Sequence, residues 1–173
     1  MAIQMDVQFA EDLPETIEEP PSRSLLCSWA QAAWQGDESA EPVLSLRIVN
    51  LSESQQLNND YRNKNKPTNV LSFPMQMESG FDESLMLSTM LGDLAICAEI
   101  VEKEADEQKK TLQEHWAHMV VHGMLHLQGF DHIEDEGALQ MESLETQIMQ
   151  QLGFSDPYLF NNPEKTSVTE LKS

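Results

Sequence analysis

Three histidines and one glycine carry the strongest chemical signal in this chain. Residues 122–132 read His-Gly-Met-Leu-His-Leu-Gln-Gly-Phe-Asp-His. His122 and His126 are four residues apart, so on a helix they project from one face, one turn above the other. Gly129 permits the tight or left-handed turn that ends a helix, which lets the chain fold back and direct His132 at the same point. Three neutral imidazoles suit zinc and leave the fourth tetrahedral position open for water or substrate, as in catalytic zinc sites.

The residue after the first histidine separates two kinds of hydrolase. The spacing H-x-x-x-H-x-x-G-x-x-H also occurs in metzincin proteases, where a glutamate follows the first histidine and acts as general base. This chain has Gly123 at that position. Metal binding is therefore predicted, while proteolysis becomes the weaker alternative. Three uncharged ligands also leave zinc its full double positive charge, which favours an anionic substrate such as a phosphodiester.

The length and the apolar pattern bound the class of protein. A chain of 173 residues predicts one domain with a real core. No apolar run approaches the roughly 18 to 20 residues that a membrane-spanning helix needs, and the N-terminus lacks the basic region of a signal peptide. Cys27 and Cys97 lie in apolar stretches without metal-type spacing. We therefore expect a cytoplasmic protein with buried free thiols.

The charge of the chain opposes general nucleic-acid binding. Thirty acidic residues against ten basic ones give a net charge of −20, which repels a polyanion such as DNA. Three of the basic residues, Arg62, Lys64 and Lys66, fall within five positions. Taken alone, this cluster fits a solvated face as well as a phosphate contact. The overall charge therefore argues against a general nucleic-acid-binding protein.

The elements that must position these residues follow from hydrophobic periodicity and capping signals. Strands are predicted over residues 6–9, 43–49, 69–73 and 92–97. Helices are predicted to begin after Ser22, at a capping box formed by Ser52 and Gln55, at Glu99, after Thr111 and at about Asp135. The pattern indicates a single α+β domain in which a small mixed sheet of about four strands packs with about five helices, and the metal-binding helix is buried centrally. Residues 1–21 are expected to form a flexible or edge-strand segment, residues 22–158 the metal-dependent hydrolase domain, and residues 159–173 a polar tail.

Three blocks of the sequence together resemble the YbeY family of zinc-dependent endoribonucleases. The first is residues 122–132; the second is Asn-Asp-Tyr-Arg at 59–62 leading to Pro-Thr-Asn-Val-Leu-Ser-Phe-Pro at 67–74; the third is Leu-Gly-Asp at 91–93. The resemblance runs from about Val43 to Tyr158. Many members have Asp where this chain has Asn69, and Tyr where it has Phe130. The first difference removes a carboxylate near the site.

The resemblance implies a set of residues and a biological role. It implies one zinc ion per chain on His122, His126 and His132, and catalytic roles for Arg62 and His122. It also implies a single-strand-specific endoribonuclease that matures the 3′ end of 16S ribosomal RNA and takes part in ribosome quality control. The implied partners are ribosomal RNA, the small ribosomal subunit, ribosomal proteins and an assembly GTPase, with no DNA and no membrane.

The residues leave several assignments open. His118 and His115 precede His122 by one and two helical turns, so either is a candidate proton shuttle or a structural histidine. Asp93 and Asp131 are candidates for the carboxylate that fixes an imidazole tautomer. Two other functions also remain: a ribosome assembly or interaction factor in which zinc only holds the fold, and a metalloprotease-like hydrolase with a displaced base.

Overall fold

A mixed four-stranded sheet forms one layer of the fold. The computed structural model describes residues 3–75, 90–130 and 135–158. Within them the strands are β1 (Gln4–Phe9), β2 (Val43–Val49), β3 (Val70–Pro74) and β4 (Met90–Cys97), in the order β1-β2-β4-β3. β2 is parallel to both β1 and β4, whereas the edge strand β3 is antiparallel to β4. The predicted mixed sheet is therefore confirmed.

Five helices accompany the sheet in the part of the chain that the structure describes. They are α1 (Arg23–Ala32), α2 (Leu51–Arg62), α3 (Ala98–Glu107), α4 (Leu112–Leu127) and α5 (Asp135–Gln151), which confirms the predicted α+β class. Two of these helices have side-chain caps at their starts, and the cap of α1 is the predicted Ser22. The Ser22 side chain accepts a hydrogen bond from the backbone N–H of Leu25, and the Thr111 side chain accepts one from Glu114.

The predicted capping box at the start of α2 is wrong. The cap is Asn50, whose side-chain oxygen accepts a hydrogen bond of 2.8 Å from the backbone N–H of Glu53. Ser52 lies inside the first turn instead. Asn50 follows β2 directly and keeps an extended backbone (φ −93°, ψ −178°). An asparagine in that conformation is among the best helix caps, so the cap lies two residues before the predicted serine and the helix begins at Leu51.

α4 occupies the centre of the fold. It contacts α1, α3 and α5 as well as β3 and β4, and most of its residues are buried. This confirms the prediction that the helix is covered on most sides. The other face of the sheet carries α2 over a smaller apolar cluster, whose buried members are Val49, Leu71, Ala95 and Cys97. The sheet therefore lies between α2 on one face and a layer of helices that includes α4 on the other.

Two further predictions concern the membrane and the cysteines. Among the described residues, every helix is too short or too polar to cross a membrane. Both cysteines are free thiols; Cys97 is buried and Cys27 is partly exposed.

The N-terminal strand β1 belongs to the sheet, and its Met5 is buried in the main core. The domain limits set from the sequence, residues 22 and 158, stay a prediction.

Candidate metal centre

Four histidines form a line along α4. His115, His118, His122 and His126 succeed one another at intervals of three or four residues, so they share one face of the helix. The ring centroids of neighbours are 6.1, 6.2 and 4.6 Å apart. His115 and His118 are buried, whereas His122 and His126 are only partly buried. The line therefore runs from the core to a position that solvent reaches.

His122 and His126 turn the same ring nitrogen toward each other. Their Nε2 atoms are 3.1 Å apart. Two nitrogens bound to one tetrahedral zinc at about 2.05 Å lie about 3.3 Å apart, so the observed separation fits a shared metal ion. The third predicted ligand, His132, lies outside the described residues. The structure thus brings together two of the three predicted histidines.

Glu145 of α5 contacts two of these histidines, His118 and His122. Its Oε2 atom lies 2.5 Å from Nδ1 of His122, and its Oε1 atom lies 2.9 Å from Nε2 of His118. The same Oε1 atom also accepts a hydrogen bond from the hydroxyl of Tyr158. The Glu145 side chain has no exposed surface. A buried carboxylate is costly unless it is paired and hydrogen-bonded, and here three donors surround it.

The electrostatics assign a protonation state to each member of this set. Burial alone would raise the pKa of Glu145, but the hydrogen bonds from His118 and His122 outweigh burial and hold that pKa well below its usual value. Burial lowers the pKa of His118. Burial, followed by the charge of Glu145, raises the pKa of Tyr158 far above its usual value. At neutral pH the set therefore holds an ionised carboxylate, a neutral His118 and a protonated phenol.

The chain after α5 folds back to complete the set. The backbone N–H of Tyr158 donates to the carboxylate of Asp156 at 2.8 Å, and Nζ of Lys110 donates to the carbonyl of Pro157 at 2.8 Å. The Tyr158 ring then contacts His118 edge to face, at 5.5 Å between centroids. These contacts place the phenol over the buried carboxylate.

A second glutamate–histidine pair lies two turns earlier. Nε2 of His115 is 2.8 Å from Oε1 of Glu104, a residue of α3. The side chain of Asn69 donates to the same carboxylate at 3.1 and 3.3 Å. The Asn69 amide supplies a donor that a carboxylate at this position would lack. This pair shares no hydrogen bond with Glu145.

Three ligand atoms in the set are close enough to hold a metal ion. One atom each from His118, His122 and Glu145 lies within 4.8 Å of the other two. The contact of His122 with Glu145 uses its Nδ1 atom, whereas the pairing with His126 uses its Nε2 atom. The described part of α4 and α5 therefore presents a buried His/His/Glu candidate metal site and, on the outer side of the same imidazole, a pair of facing nitrogens.

Comparison with known proteins identifies the family. The family model described as Endoribonuclease YbeY matches residues 12–153. The chain belongs to the YbeY endoribonuclease family. Membership confirms the resemblance seen in the sequence and makes the chain an enzyme that hydrolyses phosphodiester bonds, with RNA as its substrate.

A solved structure supports the fold. TM1509 from Thermotoga maritima, determined in solution, superposes with a TM-score of 0.51 at 23% sequence identity. The match covers 85% of this chain and 87% of that one. At this identity the likeness concerns the arrangement of elements alone, and it agrees with the single α+β domain described above.

In this YbeY-family chain, the predicted arginine ends α2. Arg62 is the last residue of that helix and is solvent-exposed, as are Lys64 and Lys66 in the turn that follows. Arg62 takes no part in the hydrogen-bonded set around Glu145. The structure therefore places the basic cluster on the surface.

One of the two sequence hypotheses about carboxylates is corrected, and the other stays a prediction. Asp93 is exposed and lines a groove of about 420 Å³ with Arg47, Tyr61 and Phe73 on the α2 face of the sheet. Its neighbour Leu94 is the residue of β4 that packs toward α4. Because successive side chains of a strand point to opposite faces, Asp93 points away from the histidines. Asp131, the other candidate, lies outside the described residues.

The carboxylate that sequence reasoning missed is Glu145. Its neighbours in sequence include several other acidic residues, yet Glu145 is fully buried. A signal was present: Met141, Ile148 and Met149 are the other buried residues of α5, and Glu145 falls on their stripe at i+4 from the first. One carboxylate on the apolar face of a helix indicates a buried partner.

Proposed function

We propose that this protein is a zinc-dependent endoribonuclease that cleaves single-stranded RNA and matures the 3′ end of 16S ribosomal RNA. One zinc ion per chain is held by His122, His126 and His132, and Arg62 binds the scissile phosphate. The enzyme works in the cytoplasm on the small ribosomal subunit, beside ribosomal proteins and an assembly GTPase. Family membership supports the RNA substrate, and the resemblance of the three sequence blocks supports the ribosomal role.

One observation carries the metal assignment. The Nε2 atoms of His122 and His126 face each other at 3.1 Å, close to the separation of two ligands on one tetrahedral zinc. The same face is partly open, so a substrate can approach it. The buried side of His122 is already occupied, since Nδ1 contacts Glu145 there.

Bound zinc would supply a Lewis acid that polarises a phosphoryl oxygen and lowers the pKa of water in the site. The chain's own task is to hold the phosphodiester. Arg62 carries a permanent, planar charge that grips two phosphate oxygens at once. Lys64 and Lys66 add exposed positive charge beside it, in a chain whose total net charge is −20.

The structure supports a shared role for Arg62 and His122 through β3. The hydroxyl of Ser72 donates to the backbone carbonyl of Gly123, the residue after His122, at 3.4 Å. The next residue, Phe73, contacts the ring of Tyr61, the residue before Arg62, at 5.1 Å between centroids. Consecutive residues of one edge strand thus contact the neighbours of both groups. Tyr61 is 68% exposed, which leaves its ring free to stack on a base of single-stranded RNA.

The test combines metal analysis, folding and cleavage of an RNA precursor that extends past the mature 16S end. His126→Ala should fold normally, lose zinc and lose cleavage. His115→Ala is the matched control, because it removes an imidazole from the same helix outside the facing pair. Arg62→Ala should keep zinc and lower cleavage by about 10- to 100-fold, the worth of a charge-assisted hydrogen bond or two.

Other outcomes would point to the other candidate assignments. Zinc retained by His126→Ala but lost by His118→Ala would place the metal in the buried group with Glu145. Unfolding of His126→Ala, with no cleavage by the wild type, would support a ribosome assembly factor with structural zinc. Normal cleavage by a metal-free His122→Ala would overturn the proposal. Chelator-sensitive peptide hydrolysis without RNA cleavage would support the protease alternative.

Charge gives an independent test. Because the chain is so acidic, the isolated protein should bind naked RNA weakly at physiological salt and more tightly when the RNA is presented on the small subunit. Filter binding of precursor RNA and of an unrelated single strand, each with and without the subunit, measures this. Nanomolar binding of the unrelated naked RNA would contradict a substrate that the ribosome helps to hold.

A further inference from the structure

We propose that Glu145 is the positioning residue that holds His122 as its Nδ1–H tautomer and thereby presents the lone pair of Nε2 to the metal. The inference rests on the proposed zinc site at His122 and His126. It assigns a role within that site to a residue of another helix, and it explains why a fully buried carboxylate lies on the apolar stripe of α5.

The hydrogen bonds around the carboxylate decide the tautomer. An ionised carboxylate accepts hydrogen bonds and donates none. Oε2 of Glu145 lies 2.5 Å from Nδ1 of His122, so this nitrogen carries the proton. A neutral imidazole has one N–H, which leaves Nε2 of His122 as a lone pair. That is the atom that lies 3.1 Å from Nε2 of His126.

The other two donors keep Glu145 in the acceptor role. His118 and the Tyr158 hydroxyl both donate hydrogen bonds to Oε1 of Glu145. Nδ1 of His118 is buried and has no hydrogen-bond partner among the described residues. This fits a neutral His118 whose one N–H, at Nε2, donates to Glu145. With two donors fixed on one oxygen, the second oxygen is directed at His122.

The substitution Glu145→Gln is expected to reverse the tautomer of His122. A glutamine has one acceptor oxygen and one donor NH₂ group. Its oxygen is best placed toward the two donors, His118 and Tyr158, which turns the NH₂ group toward Nδ1 of His122. That nitrogen must then accept, so the proton moves to Nε2 and blocks the lone pair that the metal needs. Zinc affinity should fall by about 10- to 100-fold, the usual cost of losing such a partner.

The measurement is the nitrogen-15 NMR spectrum of the histidine rings, which distinguishes N–H, lone-pair and metal-bound nitrogens. The chain has five histidines, so variants of single histidines assign the signals. The metal-free protein is measured at alkaline pH, and the tautomer is read where each ring carries a single N–H. We expect Nδ1–H at His122 in the wild type and Nε2–H in Glu145→Gln. In the zinc-loaded wild type, the metal-induced shift should appear at Nε2 of His122.

Two variants serve as controls. Glu104→Gln removes the carboxylate of the other glutamate–histidine pair, so it should leave the His122 tautomer and the zinc dissociation constant unchanged. Tyr158→Phe removes one donor but keeps the carboxylate, so His122 should stay Nδ1–H. If Glu145→Gln does not fold, the wild-type spectra still decide the question.

Several results would overturn the inference. An Nε2–H tautomer at His122 in the metal-free wild type would do so, and so would an unchanged tautomer and zinc affinity in a folded Glu145→Gln. A metal-induced shift at Nδ1 of His122 would make Glu145 a direct ligand instead. The tautomer is read without metal or RNA, so it is independent of whether the proposed nuclease activity holds. A wrong tautomer with intact zinc-dependent cleavage would reject only the role of Glu145.

Discussion

Substituting Gly123 by Ala tests how closely α4 is packed on the sheet beside the metal site. A Cβ atom at this position would lie 2.7 and 3.2 Å from the two methyl groups of Leu94 and 3.4 Å from Cγ2 of Val70. The first distance is shorter than van der Waals contact allows. Leu94 is 1% exposed, so its side chain cannot move aside into solvent.

Two effects of opposite sign set the magnitude. Alanine in place of glycine within a helix stabilises by about 1 kcal/mol. Overpacking a tight core costs about 1 to 3 kcal/mol. The net change expected for Gly123→Ala is a loss of about 1 kcal/mol. If Leu94→Ala is introduced first, the collision is removed, and Gly123→Ala should then stabilise by up to about 1 kcal/mol.

Urea unfolding followed by tryptophan fluorescence measures all four members of this double-mutant cycle, with coupling of about 2 kcal/mol expected between the two sites. Stabilisation by Gly123→Ala in the presence of Leu94, or additive effects in the cycle, would refute the packing argument. The argument also has a functional consequence. A glutamate at 123, the metzincin base, would be forced into the same contact, so Gly123→Glu should destabilise strongly and yield no peptidase.

Three other predictions follow from local geometry. Gly92→Ala should cost about 3 kcal/mol or more, because φ is +134° and a Cβ atom would lie 2.2 Å from a backbone carbonyl oxygen of β3; urea unfolding measures the loss, and a wild-type midpoint would contradict it. Asn50→Ala should cost about 1 kcal/mol through the lost cap, whereas Ser52→Ala should be nearly neutral in the same assay; the reverse ranking would restore the serine cap. Burial raises the pKa of the Cys97 thiol, so a thiol reagent at pH of about 8 should label the partly exposed Cys27 within minutes and Cys97 only on unfolding. Equal labelling rates in the folded protein would show that Cys97 is accessible.

Local rules were enough to find the histidines of α4. The interval of four between His122 and His126 places them on one helix face whatever surrounds the helix. The cap at Thr111 and the positive φ of Gly129 (+101°) are likewise decided by neighbours in sequence. Alternation of apolar and polar residues likewise located β2, which was predicted at its observed bounds, Val43–Val49.

Prediction from the local sequence failed where two capping signals competed and where the sheet decided the direction of a side chain. Ser52 with Gln55 fits a capping box, but Asn50 stands at the true boundary because β2 ends there. Asp93 belongs to a block that resembles the family, yet the pleat of β4 turns it to the α2 face of the sheet. Neither outcome follows from residue type alone.

The sequence by itself indicated the family through three motif blocks. It also determined the helix that carries the histidines and the face on which they lie, because these depend on residues within a few positions of one another. Only the tertiary structure decided which carboxylate meets that face. Glu145 is 23 residues from His122, and an acidic stretch looks the same in sequence whether it faces water or a neighbouring helix. The packing of α5 on α4 buries this one glutamate against two imidazoles. The segment after α5 then adds the hydrogen bond from the Tyr158 hydroxyl to Glu145. Contacts between different elements of this kind depend on the fold, and the spacing of the residues in the sequence does not reveal them.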